Sequence, residues 1–127
     1  MISTTLLNRE QKSYTQVRDC AQISELRTDE KNVIWVDITN PDDSDWEHLR
    51  KEFNFHPLAI EDCQNAHQRP KIEDYHGYYF IVLYEAELTE TNELRLRELN
   101  MFLGPNYVVT VHRPALSAIH PLGRRTP

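Results

Sequence analysis

Two adjacent acids, Glu61 and Asp62, lie within the stretch HPLAIEDCQNAHQRPKIEDY (residues 56–75), which also holds His56 and His67 and is followed by His76. Neighbouring carboxylates repel each other, and a divalent cation close to both relieves that repulsion. Magnesium suits such a place because it takes oxygen ligands, keeps several waters and often uses only one or two carboxylates. A solvated helix face explains the same pair without any ligand, and from the residues alone it is the plainer reading. The crowding of His56, Glu61, Asp62, His67 and His76 suggests a second chemistry, that of a zinc hydrolase. No HExxH or HxH spacing is present, however, and His56 and Asp62 are six residues apart, on different sides of a helix. No GxSxG occurs, and three glycines leave no room for a glycine-rich phosphate loop. The chain is therefore read as a non-enzyme. The run His67-Gln68-Arg69-Pro70-Lys71 is read as structural, with proline setting a turn and Arg69 and Lys71 pairing with Glu73 or Asp74.

The elements that hold these residues are legible around them. His56-Pro57 opens a helix, because the first turn has no use for the N–H that proline lacks. Ala59, Cys63 and Ala66 recur at i, i+4 and i+7 as a buried stripe. Glu61 and Asp62 then stand about 100° apart at the edge of the exposed side. Pro70 disfavours helical geometry at Arg69, so Lys71 to Tyr75 leads toward a strand.

Upstream, Val33 to Ile38 is apolar on both faces and predicts an interior strand covered on both sides. Thr39-Asn40-Pro41-Asp42 stops it and opens a helix whose inward stripe is Trp46, Leu49 and Phe53. Asp42, Asp43 and Asp45 gather at that helix's N-terminus, where the macrodipole favours anions, so capping is preferred over metal binding. Near the start, Met1 to Leu7 and Ser13 to Val17 are read as a strand pair, and Ala21 to Leu26 as a short helix with Ile23 and Leu26 inward.

Downstream, Tyr78 to Tyr84 is apolar on both faces and is placed centrally in the sheet. A polar turn at Glu90 to Glu93 makes a hairpin with the next strand. That strand changes phase, from Leu94 and Leu96 to Leu99, Met101 and Leu103, which predicts a bulge near Arg97-Glu98. Gly104-Pro105-Asn106 is a turn, Tyr107 to Val111 a last strand, and Arg113-Pro114 its end. Residues 114–127 form a tail in which a helix starts at Ala115. The order of elements predicts an α/β fold, a mixed parallel/antiparallel β-sheet sandwiched between helices, in one domain over residues 1–127.

Composition narrows the classes. At 127 residues, with 39% apolar content, the chain can bury a core amounting to about two-thirds of its unfolded surface. The longest apolar run, Tyr78 to Tyr84, is seven residues, whereas a membrane helix needs about 20. No basic segment followed by an apolar one marks a secretory signal. A net charge of −6 argues against nucleic acid as a partner and is compatible with divalent cations. Cys20 and Cys63 are too few for a disulfide framework and are read as reduced thiols, with Cys63 packed in the core.

The stretch HPLAIED followed by NAHQRPKIEDY closely resembles the N-terminal cytoplasmic domain of the CorA family of magnesium and cobalt channels. VIWVDITNP (33–41), YYFIVLYEAE (78–87) and LNMFLGPNYVVTVHRP (99–114) resemble further family segments in the same order. Together they cover most of residues 33–114. The family's two transmembrane helices and its Gly-Met-Asn pore signature are not found in this sequence, so the chain is read as a fragment, either a cloned domain or a truncated gene product. The resemblance implies the same mixed-sheet fold, placement on the cytoplasmic face of the cell membrane, and a homopentamer anchored through C-terminal helices beyond this chain. It also implies a regulatory site for Mg2+, with Co2+ as a second cation. At the position of Asp62 the family has an aspartate that helps form an intersubunit site, completed by an acid on a neighbouring protomer's stalk helix. The acid matching Glu61 is associated with a second site nearby. Two rival readings remain: a zinc transporter of the same superfamily, and a free-standing metal-responsive binding module. Sequence downstream of Pro127 separates them.

Overall fold

A computed structural model describes residues 1–17, 22–65 and 67–113. In chain order the elements are β1 (Ile2–Asn8), β2 (Ser13–Val17), α1 (Ile23–Leu26), β3 (Asn32–Thr39), α2 (Asp43–Phe53), α3 (Pro57–Gln64), β4 (Lys71–Asp74), β5 (Tyr79–Leu88), β6 (Leu94–Leu103) and β7 (Tyr107–His112). The strands form one sheet in the order β2-β1-β3-β7-β6-β5-β4. The β3–β7 pair is parallel and the other five are antiparallel, which makes the sheet mixed, as expected. The segment from β3 to β4 carries α2 and α3. The expected helix start at Ala21, the stripe residue Ala66, Cys20 and the 114–127 tail lie outside the described residues.

Register brings Val36, Val109, Phe102 and Phe80 side by side on one face of the sheet. Against that face α2 sets Trp46, Leu49 and Phe53, and α3 sets Ala59, Ile60 and Cys63, in a single apolar core. The opposite face has no helix over it among the described residues. There Trp35 is 50% exposed, Tyr79 46% and Leu83 44%. The expectation that β3 is covered on both sides is thus corrected. An interior strand is defined by its hydrogen-bonded neighbours, and apolar side chains on an open face can pack on cross-strand partners instead. Trp35 lies opposite Val108, and Leu83 opposite Leu99. The Trp35 indole N–H donates to Thr110 Oγ1 at 2.9 Å, and that hydroxyl donates to Asp37 Oδ1 at 2.6 Å. Nor is β5 central: it lies one strand in from the β4 edge.

Two of the three acids at the start of α2, Asp42 and Asp45, act as caps, as expected, and Asp43 does not. Asp42 Oδ1 accepts from the Asp45 N–H at 2.9 Å, and Asp45 Oδ2 accepts from the Asp42 N–H at 3.1 Å, a reciprocal capping box. Asn54 closes the helix in the left-handed region, at φ 53°. Asp42→Ala should cost about 1 kcal/mol in urea unfolding of this chain, because the first-turn Asp45 N–H loses its acceptor. Asp43 is exposed and outside the box, so Asp43→Ala should stay within about 0.5 kcal/mol of the parent.

The bulge expected near Arg97-Glu98 does not form. The β5–β6 ladder runs without a skip through Tyr84 opposite Glu98 and Glu85 opposite Arg97. Leu96 and Leu99 therefore lie on opposite faces. The phase change comes from polar residues at core-facing positions: Glu98 is 1% exposed and Asn100 is fully buried. Glu98 is satisfied there, accepting from the His67 N–H at 2.6 Å and from Asn100 Nδ2 at 3.3 Å.

Between β6 and β7, the Gly104 N–H donates to the Tyr107 carbonyl at 3.0 Å. A Cβ on Gly104 would overlap the Tyr107 ring, which is 4% exposed and held against Phe53 at a centroid distance of 4.8 Å. Gly104→Ala should therefore destabilise the chain by about 1–3 kcal/mol, read as a lowered urea midpoint at unchanged slope.

Candidate functional site

The position of the adjacent acids follows from how α3 docks. His56 caps the helix, its Nδ1 accepting from the Leu58 N–H at 3.0 Å, and Pro57 fills the first helical position. Burial of Ala59, Ile60 and Cys63 turns Glu61 out to solvent and leaves Asp62 at the border, its side chain 31% exposed. Tyr78 anchors the helix start, its hydroxyl accepting from the His56 N–H at 2.8 Å.

The partner of Asp62 comes from the sheet edge. In the β4–β5 register Lys71 lies opposite Val82 and Glu73 opposite Phe80, both buried, so Lys71 and Glu73 project onto the helix-covered face. Lys71 Nζ stands 2.8 Å from Asp62 Oδ2, 2.6 Å from Glu73 Oε1, and 5.7 Å from the Phe80 ring centroid. An acid–lysine–acid bridge thus ties the edge strand to α3. An inward-pointing lysine on an edge strand also discourages pairing with another chain. Burial alone would lower the Lys71 pKa, but the hydrogen bonds and charges of Asp62 and Glu73 outweigh it, and the pKa is raised. Lys71 is therefore fully charged at neutral pH. Burial and then the charges of Glu73 and Asp62 push the neighbouring Tyr75 phenol up as well.

Pairing of Lys71 with Glu73 matches the sequence reading, whereas its contact with Asp62 was not foreseen. Arg69 is exposed and makes no ion pair among the described residues. The histidines do not converge on Asp62. His56 is occupied as a cap, while His67 and His76 sit in turns with φ of 70° and 62°. No group of three or more His, Cys, Asp or Glu side chains among the described residues is placed to hold a metal ion. Burial pushes the Cys63 thiol up to about 12, so it is neither a nucleophile nor a ready ligand. No helix among the described residues is long and apolar enough to cross a membrane.

Comparison with known proteins adds the family. The sequence model of the CorA-like Mg2+ transporter protein family matches residues 30–127. A putative metal ion transporter of Bacillus subtilis, YfjQ, is 46% identical over 78 residues, which are 61% of this chain and 24% of that protein. The cobalt/magnesium transport protein CorA of Thermotoga maritima is 31% identical over 102 residues, 76% of this chain and 28% of that protein. The chain thus spans about a quarter of the length of these curated relatives, both named as transporters. In fold it is similar to the soluble domain of CorA from Methanocaldococcus jannaschii, with a TM-score of 0.65 and 18% identity, over 89% of this chain and 40% of that one. It is also similar to the full-length CmaX protein, with a TM-score of 0.69 and 17% identity, over 91% of this chain and 35% of that one. The chain belongs to the CorA-like Mg2+ transporter family.

Proposed function

We propose that this chain is the metal-sensing soluble domain of a CorA-type divalent-cation transporter, lying on the cytoplasmic face of the membrane and joined to the pore by helices outside this sequence. The observation that carries the reading is the family match across residues 30–127. Asp62 supplies half of a regulatory site for Mg2+, with Co2+ as a second cation, and Glu61 stands beside it for a second ion. The other acid comes from a neighbouring subunit of a homo-oligomer, a pentamer on the family resemblance. The donor chemistry fits: the groups are hard carboxylate oxygens at a partly exposed surface, and a lysine ammonium already stands as a cation between Asp62 and Glu73.

In this reading the domain performs no catalysis. Metal bound between neighbouring domains favours the arrangement in which the pore is shut, and falling metal releases it. A millimolar site is worth about 4 kcal/mol, but only the difference in affinity between open and closed states biases gating. Several weak sites around a ring together supply a bias that one does not. The test is flux through the complete transporter at graded internal Mg2+. Asp62→Ala should need more Mg2+ for inhibition, and unchanged inhibition would remove Asp62 from the sensor.

A further inference from the structure

We propose that the cavity beside the β6–β7 turn is an oxyanion site, in which Arg9 and Arg27 hold a phosphate group. The site shares no residue with α3 or its acids, and it adds an anionic ligand to the cation reading above.

The cavity measures about 400 Å³ and is lined by Arg9, Arg27, Thr28, Glu30, Pro105 and Asn106. Three segments form it: the turn after β1, the loop from α1 to β3, and the β6–β7 turn. The Arg9 N–H donates to the Lys31 carbonyl at 2.8 Å, and Asn106 Nδ2 donates to the Arg27 carbonyl at 2.7 Å. Both arginines therefore rise from backbone that is tied across segments. The Arg27 guanidinium carbon lies 5.5 Å from the ring centroids of both Phe53 and Tyr107. Burial pushes the Tyr107 phenol up, and the Arg27 charge beside it pulls the other way.

Two observations point to an anion. Neither guanidinium makes an ion pair among the described residues. This holds although the chain carries a net charge of −6 and Glu30 lines the same cavity. The arginines are also the donors left over for a ligand. Asn106 Nδ2 is spent on the carbonyls of Arg27 and Asp29, the Thr28 hydroxyl donates to the Glu25 carbonyl at 2.7 Å, and Lys31 pairs with Glu10 at 3.1 Å. A guanidinium presents its N–H groups as a planar fork; one fork satisfies a carboxylate, whereas two match the oxygens of a phosphate. Immobilising a long side chain costs rotamer entropy on binding, and stacking on two rings has already fixed Arg27. Glu30 opposes the anion and keeps the affinity modest.

The test titrates the 127-residue chain with inorganic phosphate at constant ionic strength, followed by NMR through the amides of residues 27–31 and 106–108. Sodium chloride at the same ionic strength is the reference, and glycerol 3-phosphate distinguishes an esterified phosphate from the free ion. Phosphate should give saturable shifts with a millimolar midpoint. Arg9→Gln and Arg27→Gln should each weaken binding about fivefold, the most that an exposed ion pair is worth. Arg27→Lys keeps the charge and the long stem but not the fork, and should weaken binding even if loss of the ring contacts unfolds Arg27→Gln. Glu30→Gln should tighten binding about twofold. Arg69→Gln, which alters an exposed arginine away from the cavity, should change nothing. Tighter binding of glycerol 3-phosphate than of phosphate would make an ester the occupant, and weaker binding the free ion; either upholds the phosphate site. Shifts that chloride reproduces, or that persist unchanged when Arg9→Gln and Arg27→Lys are combined, would overturn it.

Discussion

Phe102→Ala is expected to destabilise this chain by about 3–5 kcal/mol, which is much of the 5–15 kcal/mol that a domain of this kind possesses. Phe102 is fully buried on β6, between Phe80 on β5 and Val109 on β7. Its ring stacks on Phe55 at 4.1 Å and meets Phe80 at 5.0 Å and Tyr78 at 6.1 Å. Phe55 immediately precedes the α3 cap, and Tyr78 holds the His56 N–H, so the cavity opens beneath the start of the helix that carries Asp62. Leu103→Ala, one residue on and on the open face at 38% exposure, should cost under about 1 kcal/mol. Urea unfolding of the two variants measures the contrast. Equal losses would mean that the two faces of the sheet are equally packed.

The same contrast explains where sequence reasoning held. The Trp46, Leu49 and Phe53 stripe, the Asp42 cap and the His56-Pro57 start follow from local chemistry, and each is present. The strand pair 2–8 and 13–17 likewise formed around its polar turn. Reasoning failed where tertiary context overrode the apolar-inside rule. Glu98 and Asn100 occupy core-facing positions because the His67 N–H and their own mutual hydrogen bond satisfy the carboxylate there, and that partner lies 31 residues away from Glu98. The reading of β3 as covered on both sides fails at Trp35 because periodicity reports which residues share a face and not what lies over it.

The candidate site divides in the same way. That Glu61 and Asp62 lie at the outer border of α3 was legible from the Ala59 and Cys63 spacing. The contact of Lys71 with Asp62 was not, because it joins residues nine apart on two different elements. It requires both that β4 point its odd-numbered residues toward the helices and that α3 dock above them. The one available signal was a lysine within a short edge strand, next to an acid two residues on.

The second large effect concerns Asp62 in the complete transporter. Asp62→Ala removes a ligand and its charge from the proposed bridge between subunits, and leaves Lys71 with Glu73 alone. Loss of a ligand should raise the half-inhibiting internal Mg2+ by about tenfold or more, or about 1.4 kcal/mol per factor of ten. The core contribution of α3 is unaffected, since Asp62 lies at its border, so the fold should persist. Asp43→Ala removes an equal charge from an exposed position outside the capping box and should shift the midpoint by less than about twofold.

The most direct measurement is Mg2+ flux into liposomes at graded internal Mg2+, for the parent, Asp62→Ala and Asp43→Ala. A rightward shift confined to Asp62→Ala, with equal maximal flux in all three, is the predicted result. Superimposable inhibition curves for the parent and Asp62→Ala would contradict the account and leave Asp62 as the surface partner of Lys71.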